Sequence, residues 1–142
     1  MCGCAYYIQV VSIEQQYGGH AAHAGLAVSG SRSGSFAGRY TIIVDDDVDP
    51  YDIEDVMWAV ATRSQPSDND LIKKSWGSHS EPLFRRANTD RVDSTPSRAI
   101  IYAVKPYEWR HEFAEVNLSS EDMRRRVMAK WQGAFNDRLK IL

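Results

Sequence analysis

The sequence contains only two cysteines, Cys2 and Cys4, which stand close together at its start. A small domain held together by disulfides needs more cysteines than this, so a disulfide framework is excluded. The two thiols could bind a metal ion together with His20 and His23, but no carboxylate or further histidine at a definite spacing completes such a site. The favoured interpretation is an incidental pair of cysteines and no metal site.

The sequence also lacks an excess of positive charge and any long apolar run. Its 17 Lys and Arg residues against 19 Asp and Glu residues give a formal net charge of −2, which provides no general attraction to phosphate backbones or anionic membranes. No apolar run approaches the ~20 residues needed to span a bilayer, and the start lacks the basic residues and apolar core of a secretory signal. We therefore expect a soluble, cytoplasmic protein with no nucleic-acid or membrane partner.

Three common catalytic motifs are missing as well: the glycine-rich dinucleotide fingerprint, the phosphate-binding P-loop and the nucleophile elbow of hydrolases. His79 and His111 have the right chemistry for a general base at neutral pH, but neither has an identifiable nucleophile beside it. The residues alone therefore point to no familiar class of enzyme.

What is present is the pattern of one compact domain. A chain of 142 residues, 43% apolar and 25% charged, can bury one core and is too short for two ordinary domains. Apolar periodicity and turn residues predict strands that alternate with helices, which indicates an α/β layered sheet, at least partly parallel, flanked by helices. The predicted elements are a strand at Ala5–Ile13, a helix at His20–Ser29, strands at Tyr40–Val44, Leu71–Ile72 and Arg98–Val104, and a C-terminal amphipathic helix.

The two internal helices should each present one face to this sheet. In the first, Ala21, Ala24 and Ala27 form a small-residue face that can approach a sheet closely, while Gly25 weakens the helix. In the second, Asp49 is expected to cap the first free N–H groups and Pro50 to occupy the first turn. Its apolar stripe comprises Ile53, Val56, Met57, Val60 and Ala61.

The C-terminal helix is expected to start at a cap formed by Ser119 and Asp122. Its apolar residues recur at roughly helical spacing, and a face of this kind left exposed favours association. We therefore expect a homodimer or a higher oligomer. The residues of the stripe are Met123, Val127, Met128, Trp131 and Phe135.

Four aspartates lie between Asp45 and Asp49, directly after the predicted buried strand Tyr40–Val44. Ligands of open α/β sheets bind at this edge and clustered carboxylates suit hard cations, so one reading is a metal-dependent nucleotide-sugar transferase. The other reading is structural, with a helix cap, a partner for the helix dipole and solvated carboxylates. The structural reading is favoured, because only 44 residues precede Asp45 to build a nucleotide pocket.

The segment YTIIVDDDVDPYDIEDVMWAVATRSQP, residues 40–66, closely resembles the C-terminal domain of the UbiD family of decarboxylases. The features that carry the resemblance are the strand, the DDDVDP turn, the helix with Trp58, and the Ala-Thr-Arg ending followed by Pro66. The upstream VVSI and QYGGHA segments and the downstream Arg98–Val104 strand fit the same order of elements. The resemblance thus covers the chain from about Ile8 onward.

This resemblance implies a non-oxidative decarboxylase of aromatic or α,β-unsaturated carboxylic acids. Such enzymes hold prenylated FMN, a divalent metal and potassium in a preceding flavin-binding domain, which also supplies the catalytic residues. That domain is expected to be absent from residues 1–142, so no catalytic, cofactor-binding or metal-binding residue is assigned. This chain would close the substrate pocket and mediate oligomerisation, with a flavin-binding domain or subunit as its partner.

Within this chain, the resemblance carries over a substrate-contacting Pro-Leu pair. The pair matches Pro82 and Leu83, in the long irregular stretch Ser75–Pro96, with Glu81 adjacent and Tyr40 as a further candidate. The alternative is an orphan, non-catalytic assembly or binding module, for which the same residues would be ordinary surface loop.

Overall fold

The computed structural model describes residues 7–75, 97–114 and 119–139. These residues contain four strands and four α-helices, together with short 3-10 helices at Pro66–Asp68 and Tyr107–Trp109. The strands are β1 (Ile8–Ile13), β2 (Tyr40–Asp45), β3 (Asp70–Ile72) and β4 (Arg98–Ala103). The helices are α1 (His20–Gly30), α2 (Arg32–Ala37), α3 (Ile53–Arg63) and α4 (Glu121–Leu139).

The strands form one sheet in the order β1-β2-β4-β3. β1, β2 and β4 run parallel, with Val10 beside Ile42 and Ile42 beside Ile101, while β3 pairs antiparallel with β4. The predicted α/β fold with a partly parallel sheet is therefore confirmed. The carboxyl ends of the parallel strands, near Asp45, form what we call the carboxyl edge, and the opposite ends, near Tyr40, form the amino edge.

Helices cover both faces of the sheet. The β-branched side chains of β2 point alternately to the two faces, so both of its sides are buried. One face packs Ile42 and Val44 against the side of α3 that carries Val56 and Ala59. The other face packs Ile43 and Ile100 against α1. Ile43, Val44 and Ile100 are fully buried, so the core lies on the two sides of β2 and β4.

The row of α1 that touches the sheet consists of Ala21, Gly25 and Ser29, at helical spacing. Gly25 lies so close to β4 that a Cβ atom there would stand 2.5 Å from Cγ2 of Ile100. The prediction for this helix was thus partly wrong: Gly25 is a packing residue, and Ala27 is exposed.

α3 begins later than predicted. Its N-cap is Asp52, whose side chain accepts hydrogen bonds from the backbone N–H groups of Glu54 and Asp55. Asp49 instead accepts a hydrogen bond from the N–H of Tyr51 at 2.9 Å, which stabilises the preceding turn. Both aspartates satisfy free N–H groups, but only Asp52 does so for the helix.

The predicted apolar stripe of α3 is divided between two environments. Val56 and Ala59 face the sheet, and Arg63 is buried with them, whereas Ile53, Met57 and Ala61 are exposed. The apolar residues of α3 occupy a wider part of the helix surface than the sheet covers. A second row of apolar residues is therefore left exposed.

α2 was missed at the sequence level, because the Ser/Gly-rich stretch around it predicts a loop. The helix is capped by Ser31, whose side chain accepts a hydrogen bond from the N–H of Gly34. At its other end the buried Arg98 donates hydrogen bonds to the carbonyls of Gly34, Ser35 and Gly38. An arginine from the start of β4 therefore holds the end of α2 in place.

α4 is a helix as predicted, but Ser120 and not Ser119 accepts the capping hydrogen bond, from the N–H of Met123 at 3.2 Å. Every residue from Glu121 to Trp131 is exposed, including Met123, Val127 and Trp131. In the parts of the chain that the structure describes, neither this helix nor another is long and apolar enough to cross a membrane.

Candidate functional site

The most elaborate polar arrangement in the described structure lies at the carboxyl edge, around Asp45. This residue ends β2, is only 6% exposed, and lies where β1 and β4 also end. Its carboxylate accepts hydrogen bonds from Gln15 Nε2 at 2.7 Å, from the backbone N–H of Lys105 at 2.7 Å and from Arg63 Nη1 at 3.2 Å. One buried carboxylate thus joins the segments that follow β1 and β4 to the end of α3.

Asp47 completes this arrangement, which we call the carboxyl-edge network (Gln15, Asp45, Asp47, Arg63 and Lys105). Arg63 donates two hydrogen bonds to the Asp47 carboxylate, at 2.7 and 2.9 Å, and Lys105 Nζ donates a third at 2.7 Å. The Arg63 side chain is 1% exposed, and its guanidinium carbon lies 5.0 Å from the centre of the Trp58 ring. Two carboxylates and two cations therefore neutralise each other here.

This geometry argues against a metal site in the aspartate cluster. A divalent cation on Asp45 and Asp47 would have to displace the Arg63 guanidinium, which already occupies the space between the two carboxylates. Of the other two, Asp46 is exposed and Asp49 stabilises its own turn. Within residues 7–75, 97–114 and 119–139, no three His, Cys, Asp or Glu side chains come together as a ligand set. The reading as a metal-dependent transferase loses its structural basis.

Asp47 should stabilise the protein at neutral pH and lose that effect in acid. The hydrogen bond from Arg63 lowers the pKa of Asp47 from 3.8 to about 2, with Lys105 acting in the same direction and partial burial opposing them. Because the folded-state pKa is the lower one, the stabilisation is complete above about pH 4 and disappears as the pH falls through about 2. Urea unfolding should show the destabilisation by Asp47→Asn shrinking over this range.

The matched control for this prediction is Asp46→Asn, since Asp46 is the exposed neighbour outside the network. Its effect should be small and should not change with pH in the same way. The Asp47 side chain is 39% exposed, so solvent screening keeps its contribution well below that of the buried Arg63. An Asp47→Asn effect that stayed constant down to strongly acid pH would contradict this account.

A cavity of about 400 Å³ lies beside the network, between the start of α1 and the segment after β4. Gly18, Gly19 and Ala22 line one side of it, and Tyr102, Val104 and Pro106 line the other. Its charged lining residues are of both signs: Arg63, Lys105, Asp68 and Glu108. Since Arg63 and Lys105 are already paired with Asp47, the lining favours neither anions nor cations.

Of the four substrate-contacting residues expected from the resemblance, the structure describes Tyr40. Tyr40 starts β2 at the amino edge, 45% exposed, at the far end of the strand from Asp45. Glu81, Pro82 and Leu83 lie outside the described residues, so their roles remain predictions. Tyr40 is not among the residues that line the cavity.

The histidines considered for a metal site form a small aromatic group at the start of α1. The ring of His20 stacks on Tyr17 with 4.9 Å between centres, and Nδ1 of His23 lies 2.9 Å from the Tyr17 hydroxyl. Cys2 and Cys4 lie outside the described residues. Their partnership with His20 and His23 stays untested, and the contacts of both histidines are ordinary local ones.

Two members of the carboxyl-edge network, Gln15 and Lys105, were not found from the sequence. Each follows a predicted strand, and the ends of parallel strands meet at one edge, so position alone was the available signal. Gln15 uses its amide group twice, donating to Asp45 and to the carbonyl of Lys105 at 2.8 Å. A lone glutamine after a strand does not reveal such partners in advance.

Comparison with known proteins gives one matching family. The model of the 3-octaprenyl-4-hydroxybenzoate carboxy-lyase C-terminal domain matches residues 1–103. That range includes β1, β2, β4, α3 and all of the carboxyl-edge network except Lys105.

Solved structures similar to this chain come from UbiD-class enzymes and a vanillic acid decarboxylase. The UbiD-class enzyme HmfF from Pelotomaculum thermopropionicum, in complex with FMN, is 28% identical with a TM-score of 0.66, and the match covers 84% of this chain and 25% of that one. Vanillic acid decarboxylase from Sedimentibacter hydroxybenzoicus, in its open form, is 25% identical with a TM-score of 0.61, covering 94% and 27%. An evolved dimeric form of HmfF, in complex with prFMN, is 25% identical with a TM-score of 0.57, covering 84% and 22%. The chain therefore spans about a quarter of the length of these relatives.

Proposed function

The chain belongs to the family of the 3-octaprenyl-4-hydroxybenzoate carboxy-lyase C-terminal domain, and from this we propose that it serves a UbiD-type decarboxylase as its C-terminal domain or small subunit. The reaction we propose is the non-oxidative decarboxylation of an aromatic or α,β-unsaturated carboxylic acid. The observation that carries the proposal is the family match over residues 1–103. The similarity to HmfF and to vanillic acid decarboxylase supports it.

We assign this chain no catalytic group and no resident cofactor. The flavin-binding domain or subunit would hold prenylated FMN with a divalent metal and potassium, and that cofactor would supply the chemistry of carbon dioxide release. HmfF, in complexes with FMN and with prFMN, supports this choice of cofactor. The described carboxylates of the carboxyl-edge network do not fit the metal, because Arg63 and Lys105 already neutralise them.

The role proposed for this chain is to close the substrate pocket, excluding water and fixing the orientation of the acid by packing. Tyr40, Glu81, Pro82 and Leu83 are the residues proposed to contact the acid.

The topology of the sheet supports grouping these four residues. The stretch that carries Glu81, Pro82 and Leu83 follows β3 and precedes β4, and Ile72 pairs with Arg98 where it leaves and returns. Tyr40 pairs with Ala99, next to Arg98, so it belongs to the same amino edge.

The carboxyl-edge network has a supporting role in this proposal. It fixes the relative positions of β1, β2 and β4 from the opposite edge. We call the stretch Ser75–Pro96, which carries Glu81, Pro82 and Leu83, the substrate segment, and Arg98 anchors its start by donating to Ser75 Oγ at 2.9 Å. A pocket lined by apolar contacts is effective only when its walls are held rigidly, because small displacements of the substrate slow the reaction.

The first test is to purify the tagged chain from its own host and to determine co-purifying chains, intact masses and visible absorbance in one preparation. A larger, flavin-containing partner is expected, and the complex should release carbon dioxide from aromatic or unsaturated acids. A chain recovered without any flavin protein, and inert when mixed with the flavin-binding domain of a UbiD-class enzyme, would rule the proposal out.

In that complex, Leu83→Ala and Tyr40→Ala should each lower kcat/KM by about 10- to 100-fold, the usual cost of removing an apolar contact with a substrate. Steady-state decarboxylation kinetics would measure this effect. Leu26→Ala is the matched control, because Leu26 is a half-exposed leucine on α1 to which no substrate contact is assigned. Equal activity of the Leu83 and Leu26 variants would remove Leu83 from the proposed pocket.

A second candidate function is that of an orphan assembly module. The observation in its favour is the exposed apolar row of α4, which includes Met123, Val127 and Trp131. A colourless protein that forms a stable oligomer without any flavin-binding partner would support this candidate over the decarboxylase.

A further inference from the structure

The register of the sheet places three apolar side chains side by side near the amino edge. Tyr40 of β2 pairs with Ala99 of β4, and Ala99 pairs with Leu71 of β3. Paired residues of neighbouring strands point to the same face of a sheet. Two residues further along β2, Ile42 packs beneath α3, so all three side chains point to the face that carries α3.

Within the described residues, α3 leaves this part of its face uncovered. Tyr40 is 45% exposed and Leu71 is 72% exposed, and Ala99 between them is half-buried. At the same level of the sheet the opposite face is closed, since Thr41 and Ile100 are 2% and 0% exposed. The described structure is therefore open on one face only at this level.

The three side chains form a trough because they differ in size. Ala99 is small and lies between the larger Tyr40 and Leu71, so the surface dips at β4. On the other side of Tyr40 its partner in β1 is the larger Ile8, so the free space beside the Tyr40 ring lies over Ala99. We call this surface the amino-edge trough (Tyr40, Ala99 and Leu71).

The width of the amino-edge trough fits a planar ring. Carbon atoms in contact lie about 3.5–4.0 Å apart, so a flat ring needs about 7–8 Å between the atoms on its two sides. The walls rise from strands two spacings apart, or about 10 Å, and their side chains take up the difference. A puckered ring is thicker and is disfavoured. The trough carries no charged side chain, so it suits the apolar part of an acid and not its carboxylate.

We propose that the amino-edge trough binds the aromatic ring of the acid, with the ring upright over Ala99 and stacked between Tyr40 and Leu71. Stacking on an aromatic face and packing on an aliphatic side chain both favour a flat ring. This inference rests on the proposed function, which gives Tyr40 a contact with the acid. It adds Ala99 and Leu71 as the residues that select a planar ring over a puckered one.

The test uses the complex with its flavin-containing partner and an acid that this complex decarboxylates. Benzoic acid and cyclohexanecarboxylic acid are added as competitive inhibitors, because they carry the same carboxyl group on a planar and on a puckered ring. Benzoic acid should inhibit the wild type at least about 10-fold more strongly. Equal inhibition by the two acids would contradict the proposal.

Ala99→Leu fills the floor of the trough and should reduce this preference to less than about 3-fold. The new side chain extends from the open face of the sheet, so the buried core is not disturbed. Ala27→Leu is the matched control, because Ala27 is an exposed alanine on α1, which packs on the opposite face. This variant should keep the preference of the wild type.

Leu71→Ala removes one wall and should strengthen inhibition by cyclohexanecarboxylic acid, a gain that a merely structural defect would not produce. An active complex in which Ala99→Leu and Leu71→Ala both keep the wild-type preference would overturn the inference and leave the proposed function standing. Failure of Ala99→Leu to assemble with the flavin-containing partner would also overturn it, since the partner protein would then occupy the trough. A complex that decarboxylates no acid would overturn the proposed function itself, and the inference with it.

Discussion

Replacing Arg63 with methionine is expected to lower the free energy of unfolding by about 3–5 kcal/mol, the usual result of removing one partner from a buried ion pair. The substitution keeps the apolar volume beside Trp58 but leaves the Asp45 carboxylate, 9% exposed, without its cation. It also removes both hydrogen bonds that Arg63 donates to Asp47. Urea unfolding followed by circular dichroism would measure the loss.

Arg126→Met is the matched control for this substitution. Arg126 is 75% exposed and its ion pair with Asp122 is long at 3.6 Å, so its replacement should change stability by less than about 0.5 kcal/mol. In the double variant Arg63→Met, Asp45→Asn, the loss should be smaller than the sum of the two single losses, because the uncompensated charge is gone. Additive losses would mean that Arg63 and Asp45 do not interact as the structure indicates.

The buried strand and its neighbours were predictable because their signal is local. Residues 40–44 form a run rich in β-branched residues, of the kind found in strands covered on both faces, and the structure places Ile42, Ile43 and Val44 in the core. The partners of Asp45 carry no such local signal. Arg63 is 18 positions away and Lys105 is 60 away, so only the folded sheet brings them to one carboxylate.

The errors on α3 have a related cause. Asp49 and Asp52 are both chemically able to cap a helix, and the sequence does not say which of the two is followed by helical backbone. The apolar residues of α3 were all assigned to the core because periodicity measures spacing and not which element covers a face. The exposed ridge with Ile53 and Met57 is the part that periodicity misassigned.

The candidate substrate residues came from resemblance alone, since nothing in the composition or spacing of Glu81, Pro82 and Leu83 distinguishes them from other loop residues. The structure adds the location of Tyr40 and of the points where their segment leaves β3 and enters β4. These points share the amino edge with Tyr40, which a linear sequence does not reveal.

Replacing Arg98 with methionine is expected to lower the free energy of unfolding by about 3 kcal/mol, because the carbonyls of Gly34, Ser35 and Gly38 lose a charged donor. Arg98 is 2% exposed, so water does not readily take its place. Urea unfolding would measure the loss of stability. Arg32→Met is the matched control, since Arg32 is an exposed arginine on the same helix α2, and it should change stability by less than about 0.5 kcal/mol.

Arg98→Lys separates the contribution of charge from that of geometry. Lysine keeps the positive charge but carries its donors on one nitrogen, whereas the guanidinium reaches α2 with two nitrogens and Ser75 Oγ with a third. Most of the loss seen with methionine should therefore persist with lysine. Full stability of the lysine variant would show that charge alone suffices there. In that case the separate hydrogen bond from Arg98 Nε to Ser75 Oγ would contribute nothing to stability, and the start of the substrate segment would need another anchor.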